Sequence, residues 1–215
     1  MAAVSDSRGM NPEEIEAASF RIIDEEAGGH DWSPEQWPVV RRVIHTSADY
    51  EYLQSLVMTP DAVTAAVTAL RAGRSIVTDT TMALAGIRKD LAGSFGCRLS
   101  CNVAAADVAE AARHEGITRS VAAMRRACRE NSDGIFVIGN APTALFELME
   151  QVRNGTCLPA LIVGLPVGFV GAEESKNALA SGALGVPFIT NMGRKGGSTV
   201  AAAVMNALLL RAAEA

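Results

Sequence analysis

Three stretches decide the fold: Gly134-Ile-Phe-Val-Ile-Gly139, Pro159-Ala-Leu-Ile-Val-Gly-Leu165 and Gly185-Val-Pro-Phe-Ile-Thr190. Each is an apolar run of strand length bounded by turn-forming residues. Each is followed by a polar, Gly-rich turn that leads into a helix-like segment. The turns read Gly139-Asn-Ala-Pro-Thr143, Pro166-Val-Gly-Phe-Val-Gly-Ala-Glu-Glu-Ser-Lys176 and Gly193-Arg-Lys-Gly-Gly-Ser-Thr199. In an open parallel sheet such turns fall along one edge, where helix N-terminal amides and glycine-exposed backbone face a crevice suited to anions. That edge is the expected binding site. Any one turn is equally well explained by glycines that cap helices and shape the backbone; three in register point to a shared ligand edge. Gly164, Gly168 and Gly171 do not follow G-x-G-x-x-G, and residues 193–199 lack the G-x-x-x-x-G-K-[ST] order, so neither a dinucleotide nor a nucleoside triphosphate has a motif here.

Outward from this block, Ser75-Ile-Val-Thr-Asp79 reads as a further strand and Cys97-Arg-Leu-Ser-Cys-Asn-Val103 as a weaker one. Strands near residues 75, 98, 134, 159 and 186, alternating with helices, describe an α/β fold, a three-layer α/β/α arrangement with a mostly parallel sheet of about five strands. A flexible N-terminal segment is expected over residues 1–10 and a single domain over 11–213. The Ala-rich C-terminal helix, Thr199 to Ala213, is apolar nearly all round, as in a helix buried in the core or against another subunit.

The 215 residues, 49% of them hydrophobic, suffice for one well-buried core, and the net charge of −5 gives no electrostatic footprint for nucleic acid. Arg outnumbers Lys sixteen to three. That bias suits bidentate recognition of carboxylates, and codon composition explains it as well. Cys97, Cys101, Cys128 and Cys157 form no C-x-x-C pair and no zinc-spaced cluster with histidine, as expected of reduced thiols in a cytosolic protein. Met1 to Gly9 hold no apolar signal region, and no uncharged apolar run reaches the ~18 residues needed to cross a bilayer. A cytoplasmic protein without a membrane partner is expected.

Three residues stand out along the rest of the chain. Asn11-Pro-Glu-Glu14 starts a helix on which Ile15, Ser19, Ile22 and Ile23 share a face, so Ser19 points with the apolar residues. It is either a small hydroxyl bonded to the preceding turn or a ligand contact. Ser33-Pro-Glu-Gln36 is a capping box opening a helix whose last turn carries His45. His45 has Arg41 and Arg42 before it and Asp49 after it; a lone helical histidine is more often structural than catalytic. Arg119 sits in the first turn of a helix starting near Ile117, where a cation opposes the helix dipole, favouring an external anion or else a solvated surface position.

These stretches together resemble the precorrin-8X methylmutases of cobalamin biosynthesis. The similarity runs through Ile15-Glu-Ala-Ala-Ser-Phe20, Arg42-Val-Ile-His-Thr46, Thr78-Asp-Thr-Thr-Met-Ala-Leu84, Ile117-Thr-Arg-Ser120, Gly139-Asn-Ala-Pro-Thr-Ala-Leu145, Gly168-Phe-Val-Gly-Ala-Glu-Glu-Ser-Lys176 and Gly193-Arg-Lys-Gly-Gly-Ser198. The resemblance implies an α/β/α homodimer that moves a methyl group from carbon 11 to carbon 12 of a corrin precursor, with no added cofactor and no metal site of its own. It implies that His45 is the catalytic acid/base and that Ser19 and Arg119 lie at the substrate. Thr118, Asn140, Thr143, Arg194, Gly196, Gly197 and Ser198, from the matched turns, are the further candidate contacts. A flat apolar ring carrying acetate and propionate side chains needs scattered anion donors around an apolar slot. The wording of residues 42–49 and 79–87 is more similar to members acting on the cobalt complex. Glu173 departs from the small residue expected there, putting a carboxylate beside the anion edge. A carrier that binds a tetrapyrrole without chemistry is the rival reading, with no need for a proton donor at His45.

Overall fold

The computed structural model describes residues 9–214; residues 1–8 of the expected flexible segment lie outside the described residues. One sheet of six strands runs in the order β1-β6-β5-β4-β2-β3. These are β1 (Leu56–Met58), β2 (Ile76–Thr78), β3 (Leu99–Ser100), β4 (Ile135–Ile138), β5 (Leu161–Gly164) and β6 (Phe188–Asn191). β2 to β6 are mutually parallel where they pair. The strand beyond the expected five is β1, which lies antiparallel on β6 with Leu56 opposite Asn191. Three residues before Thr59-Pro60 carry too little periodicity to read as a strand, and the partner β6 supplies the order.

Side chains alternate across the sheet as the pleat requires. Ile135, Val137, Leu161, Val163 and Ile189 face one layer, formed by α2 (Trp37–Ser47), α4 (Ala62–Arg71) and α11 (Ser198–Glu214). Phe136, Ile138, Ile162 and Phe188 face the other, formed by α8 (Arg119–Glu130), α9 (Pro142–Arg153) and α10 (Ala172–Ala180). α11 is buried on nearly every side, against α2, α4 and α5 (Thr81–Gly86), so most of its all-round apolar surface is used inside the chain. Among the described residues, no helix is long and apolar enough to cross a membrane.

α1 (Pro12–Ala27) begins as expected. The Asn11 side chain accepts from the Glu14 amide and the Glu14 carboxylate from the Asn11 amide, both at 2.9 Å. Its expected core face is only partly covered. Ile23 is buried, but Ile15 and Ile22 remain 40% and 43% exposed because α1 packs chiefly on α2.

From β3 the chain crosses back over β2 to β4 and then continues outward in the opposite direction. The segment after β2 turns to α5 beneath α11, and the segment after β4 turns to α9 in the other layer. The crevice between the carboxyl ends of β2 and β4 is therefore the topological switch point, the usual ligand position in open α/β sheets.

Candidate functional site

At the switch point the chain supplies its own anion. Asp79, directly after β2 and 3% exposed, accepts from the amides of Gly139 (2.8 Å), Asn140 (2.9 Å) and Ala141 (2.8 Å). Burial pushes its carboxyl pKa up, and the three amides pull against that shift. The other turns bond to one another in the same way. The Gly197 amide donates to the Leu165 carbonyl (2.9 Å) and the Gly168 amide to that of Arg194 (3.2 Å). A Cβ on Gly196 would stand 2.4 Å from the Leu165 carbonyl oxygen, and one on Gly139 would stand 2.7 Å from Ser198 Cα. The expectation that these glycine-rich turns offer free amides to a ligand is corrected accordingly: at 139–141, 168 and 197 the amides are satisfied within the protein, and Gly139 and Gly196 allow the turns to interlock.

What the edge offers outward is side chains. Thr118 caps α8 by accepting from the Val121 amide (3.2 Å), and its hydroxyl lies 3.4 Å from that of Thr143 in the first turn of α9. The N-termini of α8 and α9 thus lie side by side, both favourable to an anion. Asn140, Thr143 and Arg119 are exposed there, and Arg119 has no ion-pair partner among the described residues. Arg194 lies over the ring of Phe169, 5.5 Å from its centroid, and 3.8 Å from Glu173. The unexpected Glu173 carboxylate is therefore a weak, exposed neighbour of Arg194. The Ser198 hydroxyl is engaged with that of Thr80 at 2.8 Å.

His45 lies on another part of this end of the molecule. It occupies the last turn of α2, which ends at Ala48 in the left-handed conformation (φ 52°, ψ 32°), with the Ala48 amide donating to Ile44 (2.8 Å). Between α1 and α2 is a pocket of about 280 Å³ whose walls include Ser19, Ile22, His45, Ala48 and Tyr50. The Ser19 hydroxyl donates to the Ile15 carbonyl at 2.9 Å, the bond to the preceding turn, and Ser19 also lines this pocket. Tyr50 donates to Glu26 at 2.6 Å, and its pKa is pushed up to about 12 by burial and by that carboxylate, so its hydroxyl stays a donor at neutral pH. Phe20 meets the His45 ring edge-on at 5.3 Å and lies beneath the Arg41 and Arg42 guanidinium groups at 4.3 and 4.7 Å. Arg41 is paired with Asp24 (2.8 Å) and Arg42 with Glu16, whose carboxyl Arg42 holds below its ordinary pKa. The cations flanking His45 are thus neutralised across the α1–α2 contact.

The structure brings Ser19 and His45 together in one pocket, and Thr118, Arg119, Asn140 and Thr143 together at the ends of α8 and α9. Arg194, Gly196, Gly197 and Ser198 form a third group after β6. The link between the third group and the pocket is Lys195, which bonds Asp49 at 2.5 Å and also Glu51, just beyond the end of α2. Sequence reading assigned no role to Asp79, Lys195 or Asn191. The one local signal was an aspartate ending a strand directly before Thr80-Thr81; the long-range partners of the other two leave none.

Comparison with known proteins agrees with this architecture. The sequence profile described as precorrin-8X methylmutase matches residues 14–211. Cobalt-precorrin-8 methylmutase from Priestia megaterium is 46% identical over 203 residues, 94% of this chain and 89% of that protein. The protein of the same name from Salmonella typhimurium is 46% identical over 210 residues, 95% and 97% of the two chains. The crystal structure of precorrin-8X methyl mutase from Thermus thermophilus superposes with a TM-score of 0.85 at 42% identity, covering 93% of this chain and 98% of that one.

Proposed function

This chain belongs to the precorrin-8X methylmutase family, and on that premise we propose that it moves a methyl group from carbon 11 to carbon 12 of a corrin precursor with His45 as the acid/base. The family activity makes it an isomerase, an intramolecular methyl transferase of cobalamin biosynthesis. The observation that carries the residue assignment is the pocket in which His45 and Ser19 meet beside apolar side chains. At about 280 Å³ it is smaller than the ~300 to 1,000 Å³ of pockets that enclose drug-sized ligands, so it takes one edge of the macrocycle and leaves the rest outside. The peripheral carboxylates then reach toward Arg119 and Arg194, with Thr118, Asn140 and Thr143 as polar contacts. Gly196, Gly197 and Ser198 act by shaping the turn that presents Arg194.

In this reading the His45 imidazole gives a proton to the conjugated ring near the migrating methyl group, offsetting charge that develops during the shift, and takes the proton back afterwards. We assign the cobalt complex as substrate, in line with the names of the Priestia and Salmonella relatives. The protein is taken to act as a homodimer in the cytoplasm, a compartment that suits its four free cysteines. The apolar stripe of α1, bare at Ile15 and Ile22, is surface available to a second copy.

The test is single-turnover conversion of cobalt-precorrin-8 followed by absorbance. Wild-type protein should convert it, and His45→Gln should still bind it but rearrange it ~10²-fold or more slowly, because glutamine keeps polarity and loses the titratable group. Binding without conversion by the wild type would identify a carrier. A near-normal rate in His45→Gln would make His45 a positioning group only.

A further inference from the structure

Lys176, on α10, is fully buried, an uncommon place for a lysine. Its ammonium donates to the side-chain oxygen of Asn191 (3.3 Å) and to the backbone carbonyl of Lys195. Asn191, the last residue of β6 and also fully buried, donates its amide to that same Lys195 carbonyl (3.0 Å) and to the Met192 carbonyl (3.0 Å). Two donors from two different elements thus converge on one carbonyl and occupy both of its lone pairs. Among the described residues no carboxylate bonds the ammonium, and burial pushes its pKa down to about 8. A methionine would fill the same space without the desolvation cost, so what the lysine adds is the hold on that one carbonyl.

The Lys195 side chain projects from the held backbone to Asp49 and Glu51. Asp49 is separated from α2 only by Ala48, and it follows His45 by four residues. An exposed ion pair alone is worth little, because two long side chains lose freedom to form it. Fixing the backbone beneath one of them reduces that loss and turns the pair into a strut. We propose that Lys176, with Asn191, is a positioning residue for the rearrangement, clamping the backbone of Lys195 so that its side chain braces the His45 end of α2. The proposal rests on His45 performing the proton transfer.

A double-mutant cycle tests it. Lys195→Met, a surface change that leaves the clamp in place, is expected to slow single-turnover conversion about tenfold, since small misplacements of a reacting group are costly, with product affinity and thermal midpoint unchanged. Lys176→Met should slow it by a similar factor, and the double variant should be no slower than either single one. Losses that multiply overturn the proposal, as does a wild-type rate in Lys195→Met. Should Lys176→Met not fold, Lys195→Met and the paired change Asp49→Asn with Glu51→Gln carry the test, since both carboxylates hold the Lys195 ammonium: each alone and all together should give the same loss, and a wild-type rate in either overturns it. A wild-type protein that binds the precursor without converting it removes the functional reading and the positioning role together. Conversion without coupling removes only the positioning role.

Discussion

Arg119 opens α8, where a guanidinium meets the positive end of the helix dipole and gains nothing locally. If it clamps a substrate carboxylate, Arg119→Ala should weaken substrate or product binding by ~1.5 to 3 kcal/mol, the scale of a charge-assisted hydrogen bond. The thermal midpoint should not move; unchanged affinity in a titration would take Arg119 out of the site. Lys176 makes a prediction about pH. Its pKa is about 8 in the folded protein against an ordinary 10.5, so between these values the unfolded chain holds a proton that the native state has released. Stability therefore rises with pH across that window, and wild-type protein should gain on Lys176→Met from pH 8 to 10.5 in denaturant titrations. Single residues were legible in sequence where their setting is local. His45, Ser19 and Arg119 could be placed on their helices from periodicity and caps, whereas Asp79 and Lys176 take their meaning from partners 60 and 15 or more residues away.

The elements were legible wherever a short-range signal fixes them. The Asn11 cap, the apolar runs of β4 and β5 and the turn glycines appear where the sequence puts them; the Ser33–Gln36 bonds form too, but they close a turn ahead of α2, whose own N-cap is Gln36 without a side-chain cap bond. β1 was not legible, because a three-residue strand is ordered by β6 across more than a hundred residues. Nor was the interlocking of the turns, since a glycine that admits a neighbour's backbone and one that admits a ligand leave the same mark in a sequence. Gly196→Ala separates the two at this scale. Its Cβ would meet two backbone carbonyl oxygens, those of Leu165 at 2.4 Å and Pro166 at 2.8 Å, at a φ of 151°. The variant should lose about 2 kcal/mol or more of stability in urea unfolding even without ligand. A stable Gly196→Ala protein that fails only in binding would restore the reading of this turn as a free anion cradle.

For the molecule as a whole, the layered architecture followed from the order of strands and helices, and most of the C-terminal helix, for which the choice was open, is buried within the chain. The proposed homodimer then draws chiefly on other surface, and sedimentation at micromolar concentration should show one species of twice the 22.5 kDa chain mass. A monomer would count against it. Substitution of Ile15 by serine should weaken that association while leaving the core intact, because its side chain is already exposed in the single chain and lies outside the His45 pocket. The burial of α11 also bears on how the protein is made. This helix follows every other element in chain order, yet it packs against α2, α4, α5, α6 (Lys89–Ser94), β4 and β5. During translation one whole face of the sheet stays without its central covering until these last residues emerge. A chain folding as it is made therefore exposes apolar sheet surface until that helix joins it, the kind of transient exposure that favours aggregation.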